Sequence, residues 1–154
     1  MNNKTIALGS DHAGFELKND LIVYLVEKGY ELADLGPDSA DSVDYPDYAH
    51  KVATAVTDGS ACCGILICGS GNGVCITANK HTGVRAALCW EPEISALAKQ
   101  HNNANVISVG GRLHSIEDCQ AFIDAFLATP FSGDERHIRR INQMSNFETT
   151  GEIK

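Results

Sequence analysis

The chain has 154 residues, of which 44% are hydrophobic and 21% are charged, and its formal net charge is −8. This length fits about one domain with its own buried core, and the composition excludes a largely disordered protein. The negative charge argues against a general nucleic-acid surface, and no apolar stretch approaches the length of a transmembrane helix. We therefore expect a single domain over residues 1–154 that has neither nucleic acid nor a membrane as partner.

Short apolar runs that predict buried strands alternate along the chain with segments that show the apolar spacing of helices. The predicted strands are Thr5–Gly9, Tyr30–Leu35, Ile65–Ile67, Val84–Leu88 and Val106–Val109. The predicted helices are about 17–26, 46–58, 74–80, 91–102, 115–128 and 135–146. This alternation predicts an α/β fold: a Rossmann-like, three-layer αβα sandwich with a five-stranded parallel sheet and a C-terminal helix.

A glycine-rich segment, residues 68–73 (Cys-Gly-Ser-Gly-Asn-Gly), lies between the third predicted strand and a helix. Alternate glycines let backbone N–H groups approach an anion, and the helix N-terminus adds partial positive charge. The same field would favour a thiolate at Cys68 over a thiol. The spacing matches neither the dinucleotide-binding nor the Walker motif. The loop therefore predicts a reactive base beside a cradle for negative charge, with an ordinary βα turn as the simpler alternative.

The six cysteines are expected to be reduced thiols in a cytoplasmic protein. The N-terminus shows no signal-peptide pattern, and the chain has no C-x-x-C motif typical of a zinc or thioredoxin-type site. We predict neither a metal nor a cofactor. Five cysteines lie in apolar or helical stretches, where cysteine acts as a small hydrophobic residue; they are Cys62, Cys63, Cys75, Cys89 and Cys119.

Several polar residues follow the predicted strands directly, and ligands of open α/β sheets bind at the carboxyl ends of the strands. Asp11 and His12 follow the first strand, the glycine-rich loop follows the third, and Arg112 follows the fifth. His101 ends the helix before the fifth strand, so its position is less defined. We expect most of these residues to converge on one sheet edge, although each alone could be a turn residue, a helix cap or an ion-pair partner.

The C-terminal helix carries three of the five arginines of the chain within five residues. Arg136 and Arg140 are four residues apart, hence on one helix face, and they can bind a phosphate together. His137 lies beside them, and Arg139 is expected to be solvated or paired. The alternative is a solvated helix face with no ligand.

Sequence blocks along most of the chain together resemble one known family. They are Gly9–Phe15, Asp44–Pro46, Cys68–Gly73, Ala78–Lys80, Arg85–Ala86, His101–Val106 and Arg136–His137. In order and spacing, over about residues 4–145, these blocks resemble the ribose-5-phosphate isomerase B family. The wider group includes galactose-6-phosphate and allose-6-phosphate isomerases.

The resemblance implies an aldose–ketose isomerase that needs no metal and works through an enediolate. It implies that Cys68 moves a proton between C1 and C2, that His101 opens the sugar ring, and that Ser70 supplies a hydroxyl where many members have threonine. It further implies these substrate contacts: Asp11, His12, Gly69, Ser70, Gly71, Asn72, Gly73, Asn102, Arg112, Arg136, His137 and Arg140.

The resemblance also implies a homodimer or a dimer-based tetramer with shared active sites, in which the helix at about 135–146 packs on a partner subunit. The implied reaction interconverts ribose 5-phosphate and ribulose 5-phosphate in the pentose phosphate pathway. A hexose phosphate, allose 6-phosphate or galactose 6-phosphate, is the alternative substrate. A binding module for a phosphorylated metabolite, or a hydrolase with Cys68 as nucleophile and His101 as base, are rivals from other classes.

Overall fold

A five-stranded parallel sheet forms the centre of the protein in a computed structural model, which describes residues 4–154. The strand order is β2-β1-β3-β5-β4, and every neighbouring pair is parallel. This architecture confirms the predicted α/β sandwich. The strands are β1 (Thr5–Ser10), β2 (Glu31–Asp34), β3 (Cys63–Cys68), β4 (Ala86–Leu88) and β5 (Val106–Gly110).

Helices cover both faces of the sheet, and a last helix follows them. They are α1 (Phe15–Glu27), α2 (Tyr45–Thr57), α3 (Asn72–Ala78), α4 (Pro92–Asn102), α5 (Ile116–Ala128) and α6 (Glu135–Thr150). A single 3₁₀ turn, His12–Gly14, precedes α1. Among residues 4–154, none of these helices is both long and apolar enough to cross a membrane.

Two apolar clusters form the core, one on each face of the sheet, because side chains alternate along every strand. On one face Ile65 and Ile67 of β3 pack with buried residues of α1, α4 and α5. On the other face Leu66 and Cys68 pack with buried residues of α2 and α3. The alternation of β3 therefore decides which helices surround the Cys68 side chain.

Helix boundaries differ from the sequence prediction at two places that matter for the site. Helix α3 begins at Asn72, two residues earlier than predicted, so the glycine-rich loop runs straight into its first turn. Helix α6 continues to Thr150, past the predicted end near Asn146, and stops where Gly151 adopts a left-handed conformation with φ +75°. Glycine adopts this conformation without the steric cost that other residues meet, so it ends the helix.

Cys62 does not have the small-hydrophobic environment predicted for it. Its side chain is exposed just before β3 begins, whereas the other five cysteines are buried. All six are free thiols.

Candidate active site

The carboxyl ends of β1, β3 and β5 bring several predicted residues together. Cys68 pairs with Gly110 in the register of β3 and β5, and Ser10 of β1 pairs with Ile67. The chain segments that leave these strands therefore start side by side. They carry Asp11 and His12, the glycine-rich loop, and Arg112, as the sequence predicts.

Cys68 presents its sulfur to the glycine-rich loop. It is the last residue of β3 and only 5% exposed. The backbone N–H of Gly71 donates a hydrogen bond to the sulfur over 3.1 Å. This hydrogen bond fixes the position of the sulfur relative to the loop backbone. The geometry thus presents a nucleophilic or basic sulfur at the sheet edge.

Position 71 of this loop requires glycine, and Gly73 lies close to a neighbouring aromatic ring. Gly71 has φ +83°, and a β-carbon there would lie 2.5 Å from Leu88 Cδ1. A β-carbon on Gly73 would lie 2.6 Å from the ring of Tyr45, the first residue of α2. The hydroxyl of Ser108 donates to the Gly71 carbonyl oxygen over 2.6 Å and fixes the loop to β5. The loop is therefore held from three sides.

Ser70 and Asn72 are bonded to each other. The Ser70 Oγ accepts hydrogen bonds from the Asn72 backbone N–H at 3.2 Å and from Asn72 Nδ2 at 3.1 Å. The Ser70 hydroxyl keeps its own proton for donation, because a hydroxyl both accepts and donates. Two loop amides, those of residues 71 and 72, thus donate to side chains of the loop itself.

The turn after β1 fixes Asp11 and His12. The Asp11 carboxylate accepts from the Gly14 backbone N–H at 3.0 Å, and the Asp11 N–H donates to the Ile67 carbonyl oxygen at 3.2 Å. The Val43 N–H donates to His12 Nδ1 at 3.2 Å. The Val43 carbonyl oxygen also lies 3.3 Å from Nδ1, so this side of the ring is held against the backbone of Val43 and Nε2 is left for another partner.

Arg112 lies over the start of the glycine-rich loop. Its backbone N–H donates to the Gly69 carbonyl oxygen at 3.0 Å, and the Gly111 N–H donates to the Cys68 carbonyl oxygen at 2.8 Å. A β-carbon on Gly69 would lie 3.4 Å from Arg112 Cδ and 3.6 Å from Nη1. A guanidinium beside Gly69 adds positive charge where an anionic sugar oxygen or phosphate can bind.

A second group of predicted residues lies at the opposite, amino-terminal edge of the sheet. Helix α4 runs back across the sheet between β4 and β5, so His101 and Asn102 at its end lie near the start of β5. Arg85, just before β4, donates from Nε to the Asn102 carbonyl oxygen at 2.9 Å. The sequence left the position of His101 less defined, and the structure places it at this edge, away from the other strand-following candidates.

His101 and His137 stack on one another where α6 begins. Their ring centroids are 4.4 Å apart, and His137 is buried, with Nδ1 2.7 Å from Ser132 Oγ. Burial lowers the pKa of His137 below its ordinary value, and the nearby His101 and Arg136 lower it further. The pair is therefore tied to the α4–α6 contact.

The two arginines predicted to bind phosphate extend from α6 beside this histidine pair. Arg136 is exposed and lies 3.7 Å from the Asp134 carboxylate. Arg140, one turn further, lines a groove with the exposed side chains Met144 and Phe147. We define the amino-edge group as His101, Asn102, Arg136, His137 and Arg140. The carboxyl-edge group is Asp11, His12, residues 68–73 and Arg112.

The two groups of one chain are too far apart to act on one substrate. The six residues of β3, from Cys63 to Cys68, span roughly 16 Å at the rise of a β-strand. His101 lies beyond the far end of that distance, near the start of β5. A proton-transfer group must lie within hydrogen-bond reach of its substrate, so each chain carries two incomplete halves of the predicted site.

Sequence reasoning did not single out several residues that shape the site. Val43 acts through its backbone on a histidine 31 positions earlier, and no local pattern marks such a contact. Ser108 stands out only as a polar residue inside an apolar strand. Tyr45 belongs to one of the blocks of family resemblance, but its contact with Gly73 depends on the packing of α2 against α3.

The comparisons with known proteins agree with this fold. The family model described as Ribose/Galactose Isomerase matches residues 6–144. The chain is 43% identical to ribose-5-phosphate isomerase B of Escherichia coli, over 94% of this chain and 97% of that protein. The ribose 5-phosphate isomerase structure from Thermotoga maritima has TM-score 0.90 and 48% identity, over 92% of this chain and 97% of that one.

A further similar structure, from Mycoplasma genitalium, is a ribose-5-phosphate isomerase B with bound ribulose-5-phosphate. It has TM-score 0.91 and 41% identity, over 95% of this chain and 97% of that one. A match of this extent, with the glycine-rich loop and both residue groups inside it, decides the family. The chain belongs to the ribose/galactose isomerase family.

Proposed function

We propose that this protein interconverts ribose 5-phosphate and ribulose 5-phosphate, as a cytoplasmic enzyme of the pentose phosphate pathway. The observation that carries the proposal is the Cys68 sulfur, which accepts a hydrogen bond at 3.1 Å from the N–H of Gly71, a loop position that requires glycine. The named relatives support the substrate. Six free thiols support a reducing compartment.

The chemistry requires a base, a stabilised oxyanion and an anchor for the phosphate. A thiolate at Cys68 takes the C2 proton of the open-chain aldose, and the negative charge passes to the C1 oxygen. The Ser70 hydroxyl, the nearby Arg112 and loop amides other than those of residues 71 and 72 stabilise that charge. The same sulfur returns the proton to C1, and the hydroxyl proton moves from O2 to O1, which gives the ketose. No metal takes part in this scheme.

A complete site is formed by two subunits in this proposal. Cys68 and the carboxyl-edge group come from one chain, whereas the ring-opening acid His101 and the phosphate-binding Arg136 and Arg140 come from its partner. The separation of the two groups across the sheet supports this arrangement. The phosphate held by the arginines orients the sugar, so that binding at one end accelerates reaction at the other.

Helix α6 supplies much of the contact between subunits in this proposal. In the single chain, three apolar side chains of this helix are between 42% and 54% exposed: Ile138, Met144 and Phe147. They lie on the same helix as the substrate-binding Arg140. Burial of these side chains against a second copy would remove the unfavourable contact with water. The assembly is a homodimer or a dimer of dimers, and residues 1–154 form one domain of it.

A turnover assay tests the proposed substrate. We expect kcat/KM for ribose 5-phosphate to exceed that for allose 6-phosphate and galactose 6-phosphate by about 10- to 200-fold, because one additional carbon unit changes pocket fit by about 1–3 kcal/mol. The opposite order would assign the hexose phosphate. No interconversion of any sugar phosphate, with binding retained, would assign a binding module.

The hydrolase alternative needs a sulfur and an imidazole base in contact. Within one chain Cys68 and His101 lie at opposite sheet edges, so a single chain does not form that pair. A covalent thioester detected by mass spectrometry during turnover would support a hydrolase, since an isomerase forms none.

A further inference from the structure

A cavity of about 600 Å³ opens at the amino-terminal edge of the sheet, around the starts of β1, β2 and β3. This volume lies within the range of about 300–1,000 Å³ typical of small-molecule sites. Cys63 in its wall and Cys68 of the carboxyl-edge group are opposite ends of the same strand. The residues that give the cavity its chemistry are Lys4, Glu31, Cys62, Cys63, Lys99 and Phe126.

Two adjacent thiols with different environments face this cavity. The Sγ atoms of Cys62 and Cys63 are 3.8 Å apart, within hydrogen-bonding distance for sulfur. Cys62 is exposed, whereas Cys63 is 5% exposed and belongs to the core. Cys62 is therefore accessible to a reagent, and the buried Cys63 lies within hydrogen-bonding distance of it.

The surroundings favour negative charge on Cys62. With both thiols protonated Cys62 donates to Cys63, and once Cys62 is ionised the Cys63 thiol becomes the donor. This hydrogen bond to the ionised sulfur and the positive charge of Lys99 lower the pKa of Cys62 to about 6. The hydrogen bond with Cys62, together with burial, raises the pKa of Cys63, which stays a thiol and can donate. Lys99 is held in place because Nζ donates to the Ala104 carbonyl oxygen at 3.1 Å and lies 5.1 Å from the centre of the Phe126 ring.

We propose that this cavity is a thiol-exchange site, at which Cys62 attacks small disulfides that carry carboxylate groups. The ammonium groups of Lys4 and Lys99 outnumber the one carboxylate, Glu31, among the residues that line the cavity. That balance favours an anionic reagent over a cationic one. The site is independent of the sugar reaction, which uses Cys68.

The disulfide reagent is itself the oxidant in the exchange step. The Cys62 thiolate attacks one sulfur of the small disulfide, a new S–S bond to Cys62 forms, and the bond within the reagent breaks. The released half leaves as a thiolate and takes a proton from water. Cys62 is oxidised, the released half is reduced, and no other oxidant takes part.

Glutathione disulfide is a suitable probe, because it is small and carries several carboxylates. The protein is incubated with it, and adducts on each cysteine are followed over time by peptide mapping. We expect the first adduct on Cys62, with a half-maximal rate at a pH well below about 8.5, the pKa of an ordinary thiol. A first adduct on another cysteine, or a midpoint near that of an ordinary thiol, would overturn the proposal.

A matched pair of variants tests the role of Cys63. Cys63→Ser keeps an O–H donor beside Cys62, whereas Cys63→Ala removes it. We expect the alanine variant to shift the pH midpoint for Cys62 upward and the serine variant to stay closer to the parent. Equal midpoints in both variants, with unchanged melting temperatures, would show that Cys63 does not support the thiolate.

Recognition of the carboxylates is tested through Lys99. Lys99→Gln should lower the rate with glutathione disulfide by about two- to fivefold relative to the rate with cystamine, a cationic disulfide. The ratio of the two rates cancels any loss of thiolate, which affects both reagents equally. An unchanged ratio would refute the charge preference.

Discussion

A mixture of two inactive variants, Cys68→Ala and His101→Asn, should regain activity when subunits exchange. Each variant alone should lose about 10²- to 10⁴-fold in rate, because each lacks one positioned proton-transfer group. The two side chains lie at opposite edges of the sheet, separated by more than the span of β3, roughly 16 Å. One chain therefore cannot combine them, whereas a symmetric pair of chains can.

The size of the recovery follows from the geometry. In an equal mixture about half of the dimers are mixed, and one of the two sites in each mixed dimer is free of both substitutions. About one quarter of all sites are then intact. Activity should rise to about 25% of the parent's, which is about 25-fold or more above either variant alone.

Ribulose 5-phosphate formation is measured after the two variants have been mixed under conditions that allow exchange, with native mass spectrometry to count mixed dimers. A matched control mixes Cys68→Ala with Asp11→Asn, since both positions belong to the carboxyl-edge group. Every site in that mixture carries a substitution, so activity should stay low. If mixed dimers form and His101→Asn gives no more recovery than this control, the shared site is refuted.

Four further results are expected. Cys68→Ala should bind the substrate nearly as well as the parent by calorimetry while turnover falls about 10²- to 10⁴-fold; turnover within a few-fold of the parent would remove Cys68 as the base. Gly71→Ala should lower both the melting temperature and kcat, since φ is +83° and the new β-carbon would lie 2.5 Å from Leu88 Cδ1; Gly59→Ala, at φ +81° with no atom within 4 Å, is the control for backbone strain alone. EDTA should leave activity unchanged, and a loss that a divalent ion restores would contradict the metal-free scheme. The folded protein lowers the pKa of His137, so the unfolded chain binds more protons as the pH falls, and the stability of the fold declines below the ordinary histidine pKa of about 6.5. The melting temperature of His137→Gln should therefore fall less than that of the parent between about pH 7.5 and 5.5. An equal fall in both proteins would assign the acid sensitivity to other groups.

The sheet and its order of elements could be predicted because each strand is a short apolar run between turn residues. The start of α5 at Ser115 was also predictable, and the Ser115 Oγ accepts a hydrogen bond from the Asp118 N–H at 3.1 Å, as expected for a helix N-cap. The carboxyl-edge group was predictable because Asp11, the glycine-rich loop and Arg112 follow parallel strands, which all end at one edge.

The amino-edge group was not located from the residues alone, because the sequence analysis did not use the direction in which each helix returns. A helix that returns between two parallel strands must end near the start of the next strand, and this rule places His101 away from Cys68. The contact of His12 with Val43 depends on a long loop, whose path no local pattern determines. Ser132 beside His137 is likewise a product of chain packing.

The alternation of side chains along β3 limits how this protein can change in length. Cys68 faces α2 and α3 because it is an even number of residues from Leu66 and an odd number from Ile67. Insertion or deletion of one residue between Cys63 and Cys68 would turn the sulfur toward the opposite face and expose the wrong side chains to each helix layer. The exposed residues 38–42, between β2 and α2, can absorb such changes at less cost. Related sequences should therefore keep the number of residues in β3 constant.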